Sequence, residues 1–185
     1  MNETQEAALI HRCQTGDKEA FRMLVDQYRS ALFGTAYLMA RDRGLAEDAV
    51  QEALIQIWKH LPSLRIRSSI KAWMVRIVVN ELNQQFRKKQ LPTVPLEMAE
   101  VRGEPDEAEP GIIRKEEYQS IKQALDKLPS EQREIVILHY FSELTVPEIA
   151  AAVNQREGTI KSRLSRALDR LGEILRHNEM WEVKG

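Results

Sequence analysis

Basic and hydroxyl side chains cluster near the C-terminal end of the sequence. Residues three and four positions apart share one face of a helix. Arginine and lysine neutralise phosphates or donate to guanine O6 and N7, and serine exchanges hydrogen bonds with base edges or phosphates. This pattern predicts nucleic-acid binding, and the alternative is a plain helical hairpin with a solvated basic face. The cluster consists of Lys161, Ser162, Ser165, Arg166 and Arg170.

A second basic cluster, in the middle of the chain, is interleaved with aromatic rings. Basic side chains beside exposed rings suit single-stranded nucleic acid, because unpaired bases stack on such rings. Trp73 and Phe86 also fall on the apolar stripe of a predicted helix, and this favours the alternative that both are core residues. The polar side of that helix still offers amides to bases. The cluster consists of Arg65, Arg67, Lys71, Arg76, Arg87, Lys88 and Lys89, with Asn80, Asn83 and Gln84 as the amides.

Enzymatic chemistry finds little support among the remaining polar residues. Glu47 and Asp48 share a predicted helix face with Gln51 and Glu52, which is typical of a solvated surface rather than of a catalytic pair. The four histidines are scattered, and none has metal-ligand spacing with another histidine or with the single cysteine, Cys13. The sequence has no glycine-rich phosphate loop. We therefore expect no catalytic residue, no metal and no cofactor.

Composition and charge indicate a globular chain with an anion-binding part. The 185 residues are 43% hydrophobic and 30% charged, and the net charge of −1 conceals strong segregation. Residues 61–90 carry seven basic and one acidic side chain, whereas residues 91–120 carry three basic and eight acidic ones. This order favours a nucleic-acid surface followed by a solvated linker, and two solvated faces are the alternative. The lone cysteine and the short apolar stretches predict a cytoplasmic protein without direct membrane insertion.

The first ninety residues are predicted to form the helices that position the carboxylates and the mid-chain cluster. Apolar residues at helical spacing run from Phe21 to Met39, and residues 42–44 interrupt them. A second helix is predicted from about Leu45 to His60. A basic polar loop over residues 63–69 then leads to a third helix over about residues 70–89. Its predicted buried stripe is Ile70, Trp73, Ile77, Leu82 and Phe86.

A polar break separates this part from the last third of the chain. Residues 91–111 contain four prolines, two glycines and six acidic residues, without apolar periodicity. The segment predicts a flexible Pro/acid-rich linker between two small domains. We accordingly predict an all-α protein with domains over residues 1–90 and 112–178 and a tail over residues 179–185.

Two helices are predicted to open the last third of the chain. The first spans about residues 116–128, and Pro129 ends it. Ser130 is the predicted N-cap of the second, which runs to about Tyr140. These two helices precede the elements that carry the C-terminal cluster.

The next part of the chain has the spacing of a helix-turn-helix. Thr145 and Glu148 predict a capping box at the start of a short helix. A turn over residues 154–156 separates it from a long amphipathic helix that begins near Gly158. A DNA-binding helix-turn-helix presents its second helix to the major groove. The apolar stripe of this long helix, opposite the C-terminal cluster, is Ile160, Leu164, Ala167, Leu168, Leu171, Ile174 and Leu175.

Three sequence blocks resemble the extracytoplasmic-function (ECF) group of sigma factors, the smallest members of the sigma-70 family. The block LPSEQREIVILHYFSELTVPEIAAAVNQREGTIKSRLSRALDRL is similar to the family's promoter-reading helix-turn-helix. The block AEDAVQEALIQIWKHL resembles its core-polymerase-binding helix, and SIKAWMVRIVVNELNQQFRKK its promoter-melting helix. The resemblance covers about residues 8–178. It implies a non-catalytic subunit of RNA polymerase that recognises two promoter elements and helps to melt DNA.

The resemblance implies roles for the first domain. The family's acidic helix face docks on a helical coiled coil of the largest polymerase subunit, and here it comprises Glu47, Asp48, Gln51 and Glu52. The basic loop and helix bind the proximal promoter element as it melts, with residues 63–69 as the wall of a pocket for a flipped base. Asn80 matches an asparagine of the family. Gln84 stands where the family usually has an aspartate, so the resemblance does not predict which base this position contacts. The proximal-element residues are Arg65, Arg67, Lys71, Trp73, Arg76, Asn80, Asn83, Gln84, Arg87, Lys88 and Lys89.

In the second domain the resemblance places the recognition helix in the major groove of the distal promoter element. Arg156 and Arg163 are expected to contact phosphates. The family's linker threads toward the RNA channel of the polymerase, so residues 91–111 are expected to mimic nucleic acid there or to fold back on the basic cluster. The distal-element residues are Arg156, Thr159, Lys161, Ser162, Arg163, Ser165 and Arg166.

The same resemblance implies the partners. They are core RNA polymerase, promoter DNA in duplex and single-stranded form, and an anti-sigma factor that holds the protein inactive at the inner face of the membrane. The alternative function is a stand-alone helix-turn-helix regulator of transcription, which needs neither the acidic helix nor the aromatic-basic helix. A third hypothesis, an unrelated helical enzyme, lacks a catalytic constellation.

Overall fold

Helices make up every regular element in the described part of the chain, as predicted. The chain divides into two compact units, Met1–Gly103 and Glu104–Gly185, and the division falls inside the predicted linker. The linker itself, Arg67 and most of the helix predicted over residues 116–128 lie outside the described residues. A computed structural model describes the backbone over residues 3–65, 69–90 and 123–182, and the side chains over residues 4–65, 69–88 and 123–176.

Four helices form the first unit. They are α1 (Glu3–Gln14), α2 (Lys18–Ala40), α3 (Arg43–His60) and α4 (Ile70–Gln90), with a 3-10 turn at Leu61–Ser63. The helices α2, α3 and α4 pack against one another, and α1 packs on α2 and on the 3-10 turn. Burial of each large aliphatic side chain between them contributes about 1.5–3 kcal/mol. The fully buried ones are Leu24, Leu32, Ile57, Leu61, Met74 and Leu82.

Aspartate caps set the starts of α2 and α3. Asp17 Oδ1 accepts a hydrogen bond from Ala20 N at 3.0 Å, and Asp42 Oδ1 accepts one from Leu45 N at 2.8 Å. Each carboxylate satisfies a backbone N–H that has no partner within its helix. The predicted interruption between α2 and α3 is therefore a cap, and α3 begins two residues before its predicted start.

The buried face of α4 differs from the predicted stripe. Ile70 and Leu82 are buried as predicted, but Trp73, Ile77 and Phe86 are only partly buried, so the interpretation of the two aromatic residues as core is wrong. Because α4 packs against both α2 and α3, its core face is broader than one stripe, and the aromatic rings lie at its edges. The central positions belong to Met74, Val75, Val78 and Val79.

In the second unit the structure describes three helices and one helical turn. Residues 123–126 are helical, and α5 (Ser130–Val136) continues into a π-helical segment (Ile137–Phe141). The helices α6 (Val146–Ala152) and α7 (Glu157–Glu182) follow, and both α5 and α6 pack on α7. The largest fully buried side chains are Ile135, Ile137, Leu138, Ile149 and Ile160.

The two predicted helix caps of this unit have different outcomes. Ser130 is the first residue of α5 rather than its N-cap, because the Pro129 carbonyl already accepts the first two backbone hydrogen bonds of the helix. The capping box before α6 is confirmed. Glu148 Oε2 accepts from Thr145 N at 2.9 Å and from Thr145 Oγ1 at 2.7 Å.

The apolar stripe of α7 is buried only in part. Ile160 and Ala167 are buried, whereas Leu168 is 39% and Leu175 is 36% exposed. The 26 residues of α7 span about 39 Å, and α5 and α6, with seven residues each, are too short to cover that length. The helix also continues into the predicted tail of residues 179–185, since it ends at Glu182.

Candidate nucleic-acid and partner interfaces

The four residues of the predicted polymerase-binding face lie together on the exposed side of α3. The opposite side of the helix faces the core through Ala49 and Ala53. Glu47 Oε1 lies 2.8 Å from Arg43 Nε, which orients that carboxylate along the helix. The resulting patch is predominantly negative. We call it the acidic surface, and it consists of Glu47, Asp48, Gln51 and Glu52.

An exposed isoleucine extends the acidic surface. Ile55 is 42% exposed and lies one helical turn beyond Gln51 and Glu52. Large apolar side chains at such positions act as anchors in protein interfaces, where a few residues carry most of the binding energy. The sequence signal for Ile55 is its spacing of four residues from Gln51, and the apolar pattern alone does not set it apart.

Polar and basic side chains line the outer side of α4. Trp73 lies one turn before Arg76, so that its partly buried ring borders this strip. Arg87 Nε donates to the Asn83 carbonyl at 3.1 Å, which holds the guanidinium along the helix. From Arg76 to Lys88 the strip is about 18 Å long. We call it the α4 face, and its exposed residues are Arg76, Asn80, Gln84, Arg87 and Lys88.

Asn83 is partly buried within α4, and the remaining proximal-element residues lie around the start of α4 or outside the described side chains. Arg65 is exposed, and Lys71 in the first turn of α4 is partly buried. Ser69 Oγ caps the helix by accepting from Ala72 N at 3.2 Å. The side chains of Arg67 and Lys89 are not among those described.

Four residues predicted to read the distal element share the exposed side of α7. Arg166 Nε donates to the Ser162 carbonyl at 3.1 Å, and its Nη2 lies 3.3 Å from Ser162 Oγ. The guanidinium is therefore held above the preceding turn of the helix. We call this group the recognition face, and it consists of Lys161, Ser162, Ser165 and Arg166.

The turn before α7 positions two further residues. The Arg156 carbonyl accepts from Thr159 N at 2.9 Å and from Ile160 N at 3.1 Å, so Arg156 caps the helix while its side chain is exposed. Thr159 is partly buried. Asn154 turns the chain with a φ of 53°, a left-handed conformation that asparagine tolerates.

Arg163 is placed differently from the other distal-element residues. Its Nη2 lies 2.8 Å from Glu131 Oε2 on α5, and the side chain is partly buried between the helices. The guanidinium expected to contact a phosphate thus already has an intramolecular partner. A pairing between residues 131 and 163 leaves no trace in the helical periodicity, so the sequence pattern treats Arg163 like its exposed neighbours.

Sites for other chemistry are few within the described ranges. No group of three or more His, Cys, Asp or Glu side chains there is arranged to hold a metal ion. Cys13 is buried, and burial raises the pKa of its thiol, which disfavours the nucleophilic thiolate. No helix in the described part is both long and apolar enough to cross a membrane.

Two family models match the chain on either side of the predicted linker. Sigma-70 region 2 matches residues 24–91, which contain the acidic surface and the α4 face. Sigma-70 region 4 matches residues 118–171, which contain the helix-turn-helix and the recognition face. Together they cover more than half of the chain.

Individual relatives extend this similarity over nearly the whole length. The chain is 31% identical over 182 residues to the ECF RNA polymerase sigma factor SigW of Bacillus subtilis, covering 90% of this chain and 95% of that protein. It is 32% identical over 176 residues to the ECF RNA polymerase sigma factor SigM of Mycobacterium tuberculosis, covering 94% of this chain and 86% of that protein. It also resembles the solved sigma factor RpoE of Bartonella quintana in complex with the anti-sigma factor NepR. That match has a TM-score of 0.64 and 31% identity over 84% of this chain and 96% of the other. The chain therefore belongs to the ECF group of the sigma-70 family of RNA polymerase sigma factors.

Proposed function

We propose that the chain binds core RNA polymerase, directs it to promoters with two recognition elements and helps to open the DNA. The observation that carries this proposal is the occurrence of the acidic surface, the α4 face and a helix-turn-helix in one chain. A stand-alone regulator requires only the last of these. The protein itself performs no catalysis, since the polymerase supplies the reaction and this subunit selects the start site.

The acidic surface is the proposed contact with the polymerase. Its carboxylates pair with basic side chains of a helical coiled coil in the largest subunit and steer the encounter. Ile55 supplies an apolar anchor beside them. The contact is thus expected to weaken with salt while keeping an apolar component.

Core binding tests this proposal against the stand-alone regulator. We expect Asp48→Arg and Glu52→Arg each to weaken binding to core polymerase by at least about tenfold, because each reversal places like charges together. Ile55→Ala is expected to weaken it about fivefold through lost apolar contact. Asp26→Arg, at an exposed position of α2, is the matched charge reversal and is expected to bind like the wild type. Equal affinities for all four variants would contradict the proposed surface.

The α4 face is the proposed site for the melted proximal element. Unstacking a base costs about a few kcal/mol, and stacking it on an aromatic ring recovers about 1–3 kcal/mol. Trp73 offers such a ring, Asn80 and Gln84 offer hydrogen bonds to base edges, and Arg87 and Lys88 offer charge to phosphates. The recognition face is the proposed reader of the distal element in the major groove, where each bidentate contact discriminates by about 1–3 kcal/mol.

An anti-sigma factor is the proposed regulator. The Bartonella quintana relative was solved with such a partner. A partner that covers the acidic surface or the recognition face keeps this chain from the polymerase or from DNA. The proposed place of action is the cytoplasm, where polymerase and DNA meet, with the anti-sigma factor retaining the inactive protein at the membrane. The domains proposed for these roles span residues 1–90 and 112–178, and residues 91–111 join them.

A further inference from the structure

Gln14 connects the end of α1 to the segment that leads into α4. Its Nε2 donates to the Leu64 carbonyl at 2.8 Å and to the Leu61 carbonyl at 3.3 Å. A side-chain amide carries two N–H donors, so this one group serves both carbonyls. The acceptors lie 47 and 50 residues further along the chain, and the contact therefore ties two distant parts of the first unit together.

The neighbouring residues hold the end of α1, and with it Gln14, in place. Cys13, directly before it, is buried in the core. Gly16, at φ 88°, turns the chain after α1 in a region where an L side chain is disfavoured. Across that turn, Arg12 Nη2 lies 2.7 Å from Asp17 Oδ2. The end of α1 is thus held on both sides of Gln14.

The Leu64 carbonyl lies immediately before Arg65, the first residue of the proposed DNA-binding surface, and the Leu61 carbonyl lies three residues earlier. Leu61 is fully buried in the 3-10 turn, and its carbonyl also accepts from Leu64 N at 3.1 Å. Arg65 follows Leu64 directly and is exposed. At the far end of the segment, Ser69 caps α4 one turn before Trp73. Gln14 and Ser69 therefore anchor the two ends of the connection between α3 and α4.

We propose that Gln14 is a positioning residue for promoter opening. By holding the Leu61 and Leu64 carbonyls, it fixes the direction in which Arg65 leaves the helical core toward melted DNA. In this way α1, which lies before residue 24, where the region 2 match begins, gains a role in promoter opening. It rests on the proposed function, because it takes Arg65 and the α4 face to contact the proximal element.

The test compares two substitutions of Gln14 in the full-length chain. Gln14→Leu keeps the approximate size and removes both donors, whereas Gln14→Lys keeps N–H donors. Gln27→Leu, at an exposed position of α2, is the matched control. Each chain is combined with core polymerase and a promoter, and opening is followed by permanganate reactivity of unpaired thymines.

We expect Gln14→Leu to slow opening about tenfold, because it loses the hydrogen bonds to both carbonyls, of which the one at 3.3 Å is weak. Its affinities for core polymerase and for the duplex distal element should stay within about twofold of the wild type, since neither contact involves α1. Gln14→Lys and Gln27→Leu should open DNA like the wild type. Slower opening with unchanged affinities thus distinguishes a positioning role of Gln14 from a general loss of binding.

Three outcomes would overturn the inference. Wild-type opening by Gln14→Leu would show that the donors are dispensable. Failure of the wild-type chain to open any promoter would remove the proposed function and this inference with it. If Gln14→Leu does not fold, hydrogen exchange of side-chain amides in the wild-type chain tests the contact instead. The Gln14 side-chain amide should then exchange more slowly than that of the exposed Gln155, and equal exchange would contradict the contact.

Discussion

Arg163 Nη2 lies 2.8 Å from Glu131 Oε2, and this ion pair ties the recognition helix α7 to α5. The Arg163 side chain is 24% exposed, whereas the recognition face on the same helix is open to solvent. One arginine of α7 thus has an ion-pair partner on another helix, while Arg166 is exposed and bonds only within its own helix among the contacts described. The two arginines are expected to contribute to promoter binding in different ways.

The salt dependence of DNA binding separates these two arginines. Arg166→Ala should reduce the slope of log affinity against log salt by about 1, because one cationic side chain that displaces counterions from the major groove is lost. Arg163→Ala should leave that slope unchanged. Titrations of the distal element over a range of salt concentrations measure both slopes.

The Glu131 partner supplies the control for Arg163. Because the pair is partly exposed, Arg163→Ala should destabilise the second unit by only about 0.5 kcal/mol. In the double variant with Glu131→Gln, the two losses should be less than additive. A reduced salt slope in Arg163→Ala would instead indicate that Arg163 contacts DNA phosphates.

The partial exposure of Trp73 predicts a specific effect on single-stranded DNA. Trp73→Ala should weaken binding of a single-stranded proximal-element oligonucleotide by the polymerase complex about tenfold, the lower part of the range for one stacked base. Phe86 is also partly buried on α4 but is outside the proximal-element set, so Phe86→Ala is the matched control. Fluorescence anisotropy with a labelled oligonucleotide measures both, and equal losses would argue against stacking on Trp73.

Asp17 predicts a pH dependence of stability. The hydrogen bond from Ala20 N and the neighbouring Arg12 guanidinium hold the pKa of Asp17 below its ordinary value of 3.8. Because this pKa is lower in the folded than in the unfolded chain, Asp17 contributes its full stabilisation when the pH is above the pKa of the unfolded chain. The contribution is lost as the pH falls through the pKa of the folded chain. Asp17→Asn retains a capping oxygen but lacks this titration, so its stability should approach that of the wild type below about pH 4.

Urea unfolding at a series of pH values measures this convergence. Asp26→Asn, at an exposed position of α2, controls for the loss of one negative charge. A difference between wild type and Asp17→Asn that stays constant down to about pH 3 would contradict the linkage.

Glu143 predicts that a substitution stabilises the second unit. It lies between the π-helical segment and α6 with a φ of 57°, where an L side chain costs about 1–2 kcal/mol. Glu143→Gly removes this cost but adds chain entropy in the unfolded state and gives up an interaction that Glu143 makes, so a net gain of only about 0.5 kcal/mol is expected. Asn154→Gly, at a φ of 53°, is the control and should change stability by less than about 0.3 kcal/mol. A loss of stability in Glu143→Gly, measured by denaturant unfolding, would contradict the strain.

The sequence predicted the elements that depend on local patterns. Apolar spacing identified α3 and α7, and the capping box before α6 was recognised from Thr145 and Glu148 alone, because each pattern involves residues within a few positions. The residues of the acidic surface and the recognition face were found together for the same reason, since a single helix presents them.

Features that depend on packing were not predicted. Helical spacing places Trp73 and Ile77 on the buried face of α4 rather than Met74 and Val78, because two helices cover α4 and only the fold determines their directions. The contact from Gln14 to Leu64 joins residues that periodicity does not relate. Long-range side-chain pairs of this kind require the tertiary structure.

Run-off transcription tests the central claim most directly. Purified core polymerase is incubated with a promoter library, with and without the chain, and the transcript ends are mapped. We predict new start sites that depend on the chain and whose upstream sequences share two separated elements. Binding of the chain to library DNA without any new start site would contradict the account and favour a stand-alone regulator.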